Sequence, residues 1–144
     1  MFKKVAVGGT FDRLHKGHKA LLRRAFELGE KVVVGITSDE MLQKEADPLP
    51  VRMEELGDFL SGLDYDLVVL EDPHGPSITD PEIDAIVVTE DTEPRAMEIN
   101  SIRSKRNMML LKIIVIKKVL AQDGKPISST RVRRGEIDGD GVLQ

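Results

Sequence analysis

Val5-Ala6-Val7-Gly8-Gly9-Thr10-Phe11-Asp12-Arg13-Leu14-His15-Lys16-Gly17-His18 passes from a short apolar run, through two glycines, into the start of a helix-like segment. The apolar run is continuous rather than alternating, as expected of a strand covered on both faces. From Lys16 to Leu28 the residues Leu21, Leu22, Ala25, Phe26 and Leu28 fall on one broad face, and Gly29 is a natural stop. Strand, glycine turn and helix in immediate succession set the pattern for the rest of the chain.

Four further apolar runs follow: Val32-Val33-Val34-Gly35-Ile36, Leu67-Val68-Val69-Leu70, Ile86-Val87-Val88 and Ile113-Ile114-Val115-Ile116. Between them lie a helical stripe from Arg52 to Leu63 (Met53, Leu56, Phe59, Leu60, Leu63) and a more polar one from Glu93 to Asn107. Alternating strands and helices imply right-handed crossovers and a doubly wound α/β domain, Rossmann-like, with five parallel strands and helices on both faces. In such sheets ligands sit beyond the carboxyl ends of the strands, so the loops after Val7, Ile36, Leu70 and Val88 are where a site is expected. Asp72 to Pro81 reads as a rigid, turn-rich loop. The run Asp138-Gly139-Asp140-Gly141 is expected to fray.

The 144 residues fit one domain, residues 1–144. Hydrophobic residues at 40% suffice for a core, while 32% charged residues and a net charge of −4 argue against disorder and against a nucleic-acid binder. With one Tyr, four Phe and no Trp, the core is aliphatic and stacking platforms for nucleic acid are few. Two Asn and three Gln beside abundant Glu, Lys and Arg resemble a thermophile's composition. No apolar run approaches membrane-spanning length, and the start of the chain does not read as a signal peptide. Cysteine is absent, which removes disulfides, thiolate metal sites and a cysteine nucleophile. The expected address is the cytoplasm.

The loop after the first strand has the parts of a phosphate site. Gly8 and Gly9 permit a sharp turn and close approach of a ligand. Thr10 offers a hydroxyl. His15 and His18 lie three apart at a helix start and can share a side, with Gly17 leaving room between them. The helix N-terminus adds its own attraction for anions. A lone His or a lone Gly-Gly would mean little, but their coincidence directly after a strand points to a site.

Gly9-Thr10-Phe11-Asp12 with His15-Lys16-Gly17-His18 resembles the H-x-G-H signature of the nucleotidyltransferase superfamily. Ile127-Ser128-Ser129-Thr130-Arg131-Val132-Arg133 resembles its second signature, I-S-S-T-x-x-R. Within the superfamily the chain is similar to the archaeal-type phosphopantetheine adenylyltransferases and to the corresponding domain of eukaryotic coenzyme A synthase. Gly8 to His15, Asp72-Pro73-His74-Gly75-Pro76, and Val87-Val88-Thr89-Glu90-Asp91-Thr92 leading to Asn100 carry that likeness. It departs from the eukaryotic pattern at His74 (commonly Tyr) and Thr89 (commonly Ser). The Gly-Leu-Arg segment of the bacterial form is absent, so no arginine contact is carried over from there.

The resemblance implies transfer of the adenylyl group of ATP to 4′-phosphopantetheine, giving dephospho-coenzyme A and pyrophosphate in coenzyme A biosynthesis. Such in-line attack needs positioning and charge stabilisation rather than a protein nucleophile. It makes His18 the donor to the α-phosphate, with Thr10 orienting the attacking phosphate and Lys44 meeting both substrates' phosphates or remaining a solvated loop lysine. Gly8, Gly9, His15 and Gly17 would hold the nucleotide, and Ser128, Ser129, Thr130 and Arg131 the β- and γ-phosphates. Asp12 reads as a brace rather than a base. Arg103 and Arg133 are open as substrate contacts, and the run Arg103 to Arg106 reads more readily as a solvated helix face. Mg²⁺ is expected with ATP, held by substrate phosphates and with no protein ligand assigned. Oligomeric state is not readable. Two alternatives remain: a cytidylyltransferase acting on a small phosphate, and a nucleotide-binding module that does not catalyse.

Overall fold

A computed structural model describes residues 1–144. Five strands, β1 (Phe2–Gly9), β2 (Gly29–Thr37), β3 (Asp66–Leu70), β4 (Ala85–Thr89) and β5 (Lys112–Ile116), form one sheet in the order β3-β2-β1-β4-β5. Every pairing is parallel. Helices α1 (Lys16–Leu28), α2 (Leu49–Phe59) and α3 (Glu93–Lys105) connect strands, and the short α4 (Ser129–Arg133) follows β5.

The strands are apolar on both faces because both are covered. Val5, Val7, Val32, Val34, Ile36, Ala85 and Val87 pack with Leu21, Leu22 and Ala25 of α1 and with Leu56 and Leu60 beside α2. The alternate residues Ala6, Val33, Ile86 and Val88 pack with Ala96 and Ile99 of α3. This period-two division places α1 and α2 on one face and α3 on the other. β1 is central, and the chain reverses direction across the sheet between β1 and β4. The loop after β1 therefore sits at the topological switch point, where open α/β sheets take ligands.

Helix ends differ modestly from the sequence expectation. α2 begins at Leu49 rather than Arg52, because Pro50 is compatible with a first turn. It ends at Phe59, and Leu63 lies outside it and exposed. α3 stops at Lys105, two residues before Asn107, whose φ of 57° leaves the helical region.

The segment expected to fray is held instead. Ile137 is buried with Ala121 and Ile127. The Asp138 N–H donates to the Val142 carbonyl, and the Gln144 N–H to that of Glu136. The Gly139 carbonyl accepts from the N–H of Lys16, the first residue of α1. A turn rich in Asp and Gly becomes ordered in part because its carbonyl takes a first-turn N–H of α1 that has no partner inside the helix. No helix is long and apolar enough to cross a membrane.

Candidate active site

The β1–α1 loop reaches α1 through two residues in the left-handed backbone region, Phe11 and Arg13, each with φ of 51°. Phe11 is fully buried, so its side chain fixes a conformation that costs a non-glycine residue free energy. Its ring meets that of His18 edge-on, with centroids 5.4 Å apart. The His15 and His18 rings stack at 3.7 Å.

The two imidazoles cap α1 reciprocally. His15 is the N-cap, and its Nδ1 accepts from the N–H groups of Gly17 and His18 at 3.1 and 3.3 Å. The His18 Nδ1 accepts from the His15 N–H at 3.2 Å. A neutral imidazole that accepts at Nδ1 carries its proton at Nε2. Both rings therefore offer an Nε2–H donor, and neither Nε2 has an acceptor within the protein. Gly17 has a use other than the one its place suggested. A Cβ there would lie 2.9 Å from His15 Cε1, so the space beside it is occupied by the His15 ring itself.

Both histidines are held neutral. Burial, with Lys44 as the second influence, lowers the His15 pKa from 6.5 to about 4. Burial first, then His15 and Lys44, lowers that of His18 to about 3. The exposed Lys44 thus lies near both rings, and it makes no ion pair. The attraction for anions expected from the α1 N-terminus takes an altered form. Its first N–H groups are occupied by Gly139 and His15, so imidazole N–H groups stand where backbone donors were expected.

Asp12 is a brace. Its carboxylate accepts from Arg133 Nη2 at 3.1 and 3.2 Å and from the Asp47 N–H at 2.8 Å. Its carbonyl accepts from the buried Ser129 hydroxyl at 2.6 Å. One residue thereby joins the β1–α1 loop, the segment before α2 and α4. At α4, Ser128 is the N-cap and its Oγ accepts from the Arg131 N–H. The N–H groups of Ser129 and Thr130 have no acceptor in the protein, and the Thr130 hydroxyl is unpartnered. Of the three hydroxyls expected at the phosphates, the structure leaves only that of Thr130 without a partner. The Arg131 guanidinium is engaged by Asp123, Glu136 and the Pro126 carbonyl. Arg133 is engaged by Asp12 and Asp47.

A cavity of about 260 Å³ opens on the α3 face of the sheet, at the carboxyl ends of β1, β2 and β4. Its floor includes Ala6, Gly8, Val33 and Gly35, and its far wall Ala96 and Ile99. Gly9, Thr10, Thr37, His74 and Arg95 also line it. Thr10 thus belongs both to this cavity and to the histidine loop.

Two buried arginines were not read as structural in the sequence. Arg52, 1% exposed, donates to the carbonyls of Asp47, Thr10 and Thr37 and to the Asp39 carboxylate. Arg103, also 1% exposed, donates to the carbonyls of Met109, Ser77, Asp80 and Ile83 and so is a tie for the cavity wall. Helical period was the available signal. Arg52 shares its stripe with Leu56 and Leu60, and Arg103 shares its own with Ala96 and Ile99.

Residues 6–135 match the family described as Cytidylyltransferase-like. The chain belongs to this family. It is 51% identical to the phosphopantetheine adenylyltransferase of Methanothermobacter thermautotrophicus, over 99% of this chain and 90% of that protein. It is 46% identical to the phosphopantetheine adenylyltransferase of Methanopyrus kandleri, over 95% of this chain and 92% of that one. Among solved structures, a protein of unknown function from Archaeoglobus fulgidus superposes with a TM-score of 0.72 at 30% identity, covering 78% of this chain and 88% of its own. Family membership agrees with the resemblance carried by the two signatures, His15 to His18 and Ile127 to Arg133.

Proposed function

We propose that this chain transfers the adenylyl group of ATP to 4′-phosphopantetheine, releasing pyrophosphate and forming dephospho-coenzyme A. A phosphate oxygen of the acceptor bonds to the α-phosphorus of ATP while the bond to the bridging oxygen of the β-phosphate breaks. Charge shifts onto the departing pyrophosphate, and no covalent enzyme intermediate is needed.

The observation that carries this reading is the stacked His15–His18 pair with both Nδ1 atoms occupied and both Nε2–H donors unpartnered. His18 would donate to the α-phosphate as its charge develops, and His15 would hold the nucleotide. Donors fixed in advance need no rearrangement at the moment of transfer. The unpartnered N–H groups of Ser129 and Thr130, with the Thr130 hydroxyl, suit the β- and γ-phosphates. Lys44 and Thr10 suit the acceptor phosphate. Gly8 and Gly9, which line the cavity, allow close approach of the acceptor. The apolar cavity beside Thr10 suits the branched aliphatic body of the pantetheine arm. Mg²⁺ would enter on the ATP phosphates as part of the substrate. No three His, Asp or Glu side chains stand placed to hold a metal ion, and the Asp12 carboxylate is taken by Arg133 and the Asp47 N–H. A biosynthetic enzyme of this kind would work in the cytoplasm.

The test is a screen of purified protein with each nucleoside triphosphate and a panel of phosphorylated acceptors, following pyrophosphate release. ATP with 4′-phosphopantetheine is expected to give turnover, reversible on adding pyrophosphate. Turnover with CTP and glycerol phosphate, but none with this pair, would overturn the reading.

A further inference from the structure

Thr37 ends β2 at the rim of the cavity, beside Thr10. The Thr37 hydroxyl lies 3.2 Å from the Thr10 hydroxyl. The Arg52 guanidinium closes the other side, with Nη1 2.8 Å from the Thr37 carbonyl and 3.4 Å from its Oγ1. A hydroxyl has one proton to donate and lone pairs to accept with. A buried cation beside Thr37 Oγ1 turns its lone pairs toward Arg52 and its proton away, toward Thr10. The Thr10 oxygen then accepts from Thr37, and its own proton is left to point outward.

We infer that Thr37, set by Arg52, is a positioning residue that makes Thr10 a donor toward the acceptor substrate. A donor at that point favours a group that only accepts hydrogen bonds, as a phosphate dianion does. The charge-bearing residue never touches the substrate; its influence passes through two hydroxyls. The same Nη1 also holds the Thr10 carbonyl at 2.9 Å, so the backbone beneath the donor is fixed as well.

This inference rests on the proposed adenylyl transfer, and the experiment separates the two. Thr37→Val keeps the branched shape of the side chain and removes the donor. Arg52 retains its bonds to the Thr10 and Thr37 carbonyls, so the fold is expected to persist, checked by thermal unfolding. Thr37→Ser restores the hydroxyl. Steady-state kinetics with ATP and 4′-phosphopantetheine should show Thr37→Val losing about tenfold in kcat/KM for the acceptor, the scale of one hydrogen bond to a charged group. KM for ATP should hold, and Thr37→Ser should stay within about twofold of the parent. The Thr10→Val and Thr10→Val/Thr37→Val proteins complete a double-mutant cycle. Adding Thr37→Val to a protein already lacking the Thr10 hydroxyl should cost nothing further. An equal cost in both backgrounds, or a Thr37→Val protein as active as the parent, overturns the relay. An inactive parent overturns the proposed reaction instead.

Discussion

The starts of α1 and α4 border the same β1–α1 loop, yet they meet a ligand with different chemistry. At α1 the backbone donors are taken inside the protein, by the His15 ring and by the Gly139 carbonyl. What remains there are two imidazole N–H groups on rings whose pKa values burial has pushed to about 4 and about 3. At α4 the side chains are largely taken: Ser129 donates to the Asp12 carbonyl, while Arg131 and Arg133 are ion-paired. What remains there is backbone N–H and one hydroxyl. Side-chain donors of fixed tautomer suit a place where charge changes during reaction, and backbone donors suit phosphates that need only be held.

The largest expected effect comes from removing the donor at α1. His18→Ala should lower kcat by about 10²–10³ while leaving ATP affinity, measured by calorimetry, far less changed. It also removes the acceptor for the His15 N–H, so the fold is to be checked by circular dichroism. Equal losses in affinity and kcat/KM, with kcat preserved, would make the α1 start a holding site like that of α4.

Gly17→Ala strikes the same start without deleting a functional group. Its methyl would meet His15 Cε1 at 2.9 Å, displacing the ring from both N–H groups it caps. Activity should fall by at least about tenfold, and losing the cap should lower stability by about 0.5–2 kcal/mol, read by denaturant titration. A fully active Gly17→Ala enzyme would show that the stacked arrangement is not needed.

The α4 start should respond to Thr130→Ala with a rise in KM for ATP of about tenfold and little change in kcat, since one hydrogen bond to a charged group is lost. Ser129→Ala should act instead on stability, by about 1 kcal/mol, because its hydroxyl ties α4 to the loop. If Ser129→Ala raised KM for ATP and left stability alone, the division of roles at α4 would be reversed.

On the rate, the smallest effect expected is no effect. With both histidines neutral well below their usual range, kcat/KM should show no limb near pH 6.5 from either. Stability, however, should fall as pH drops from about 6.5 toward 4. Unfolded histidines take up protons there and the folded pair does not, so protons favour the unfolded chain. A histidine limb near pH 6.5 in kcat/KM would show the rings to be charged in the free enzyme.

The sequence exposed whatever depends on local pattern. Five β-branched runs became five parallel strands, since a strand covered twice must be apolar twice over. The two signature segments were legible as residue types at fixed spacing. What the side chains face was less legible. Ser129 and Thr130 are adjacent and chemically alike, yet only a bond to a residue 117 positions away in the chain marks Ser129 as structural. Arg131 likewise is ion-paired with Asp123, which the turn joining Leu120 to Pro126 brings over it. Arg52 and Arg103 lay on buried stripes but carried charge, which draws a reading toward solvent. Burial of an arginine becomes affordable only when several carbonyls converge, and convergence of separate loops is a tertiary fact.

The bond from the Lys16 N–H to the Gly139 carbonyl also has a consequence in time. Backbone amides in the body of α1 are released to solvent only when the helix or the whole domain opens. The Lys16 amide is released when the turn at Asp138–Val142 lifts, while the helix stays intact. Hydrogen exchange at this one amide would therefore keep the clock of the C-terminal turn, and a molecule whose α1 body exchanges slowly would still release its Lys16 amide at the rate of that turn.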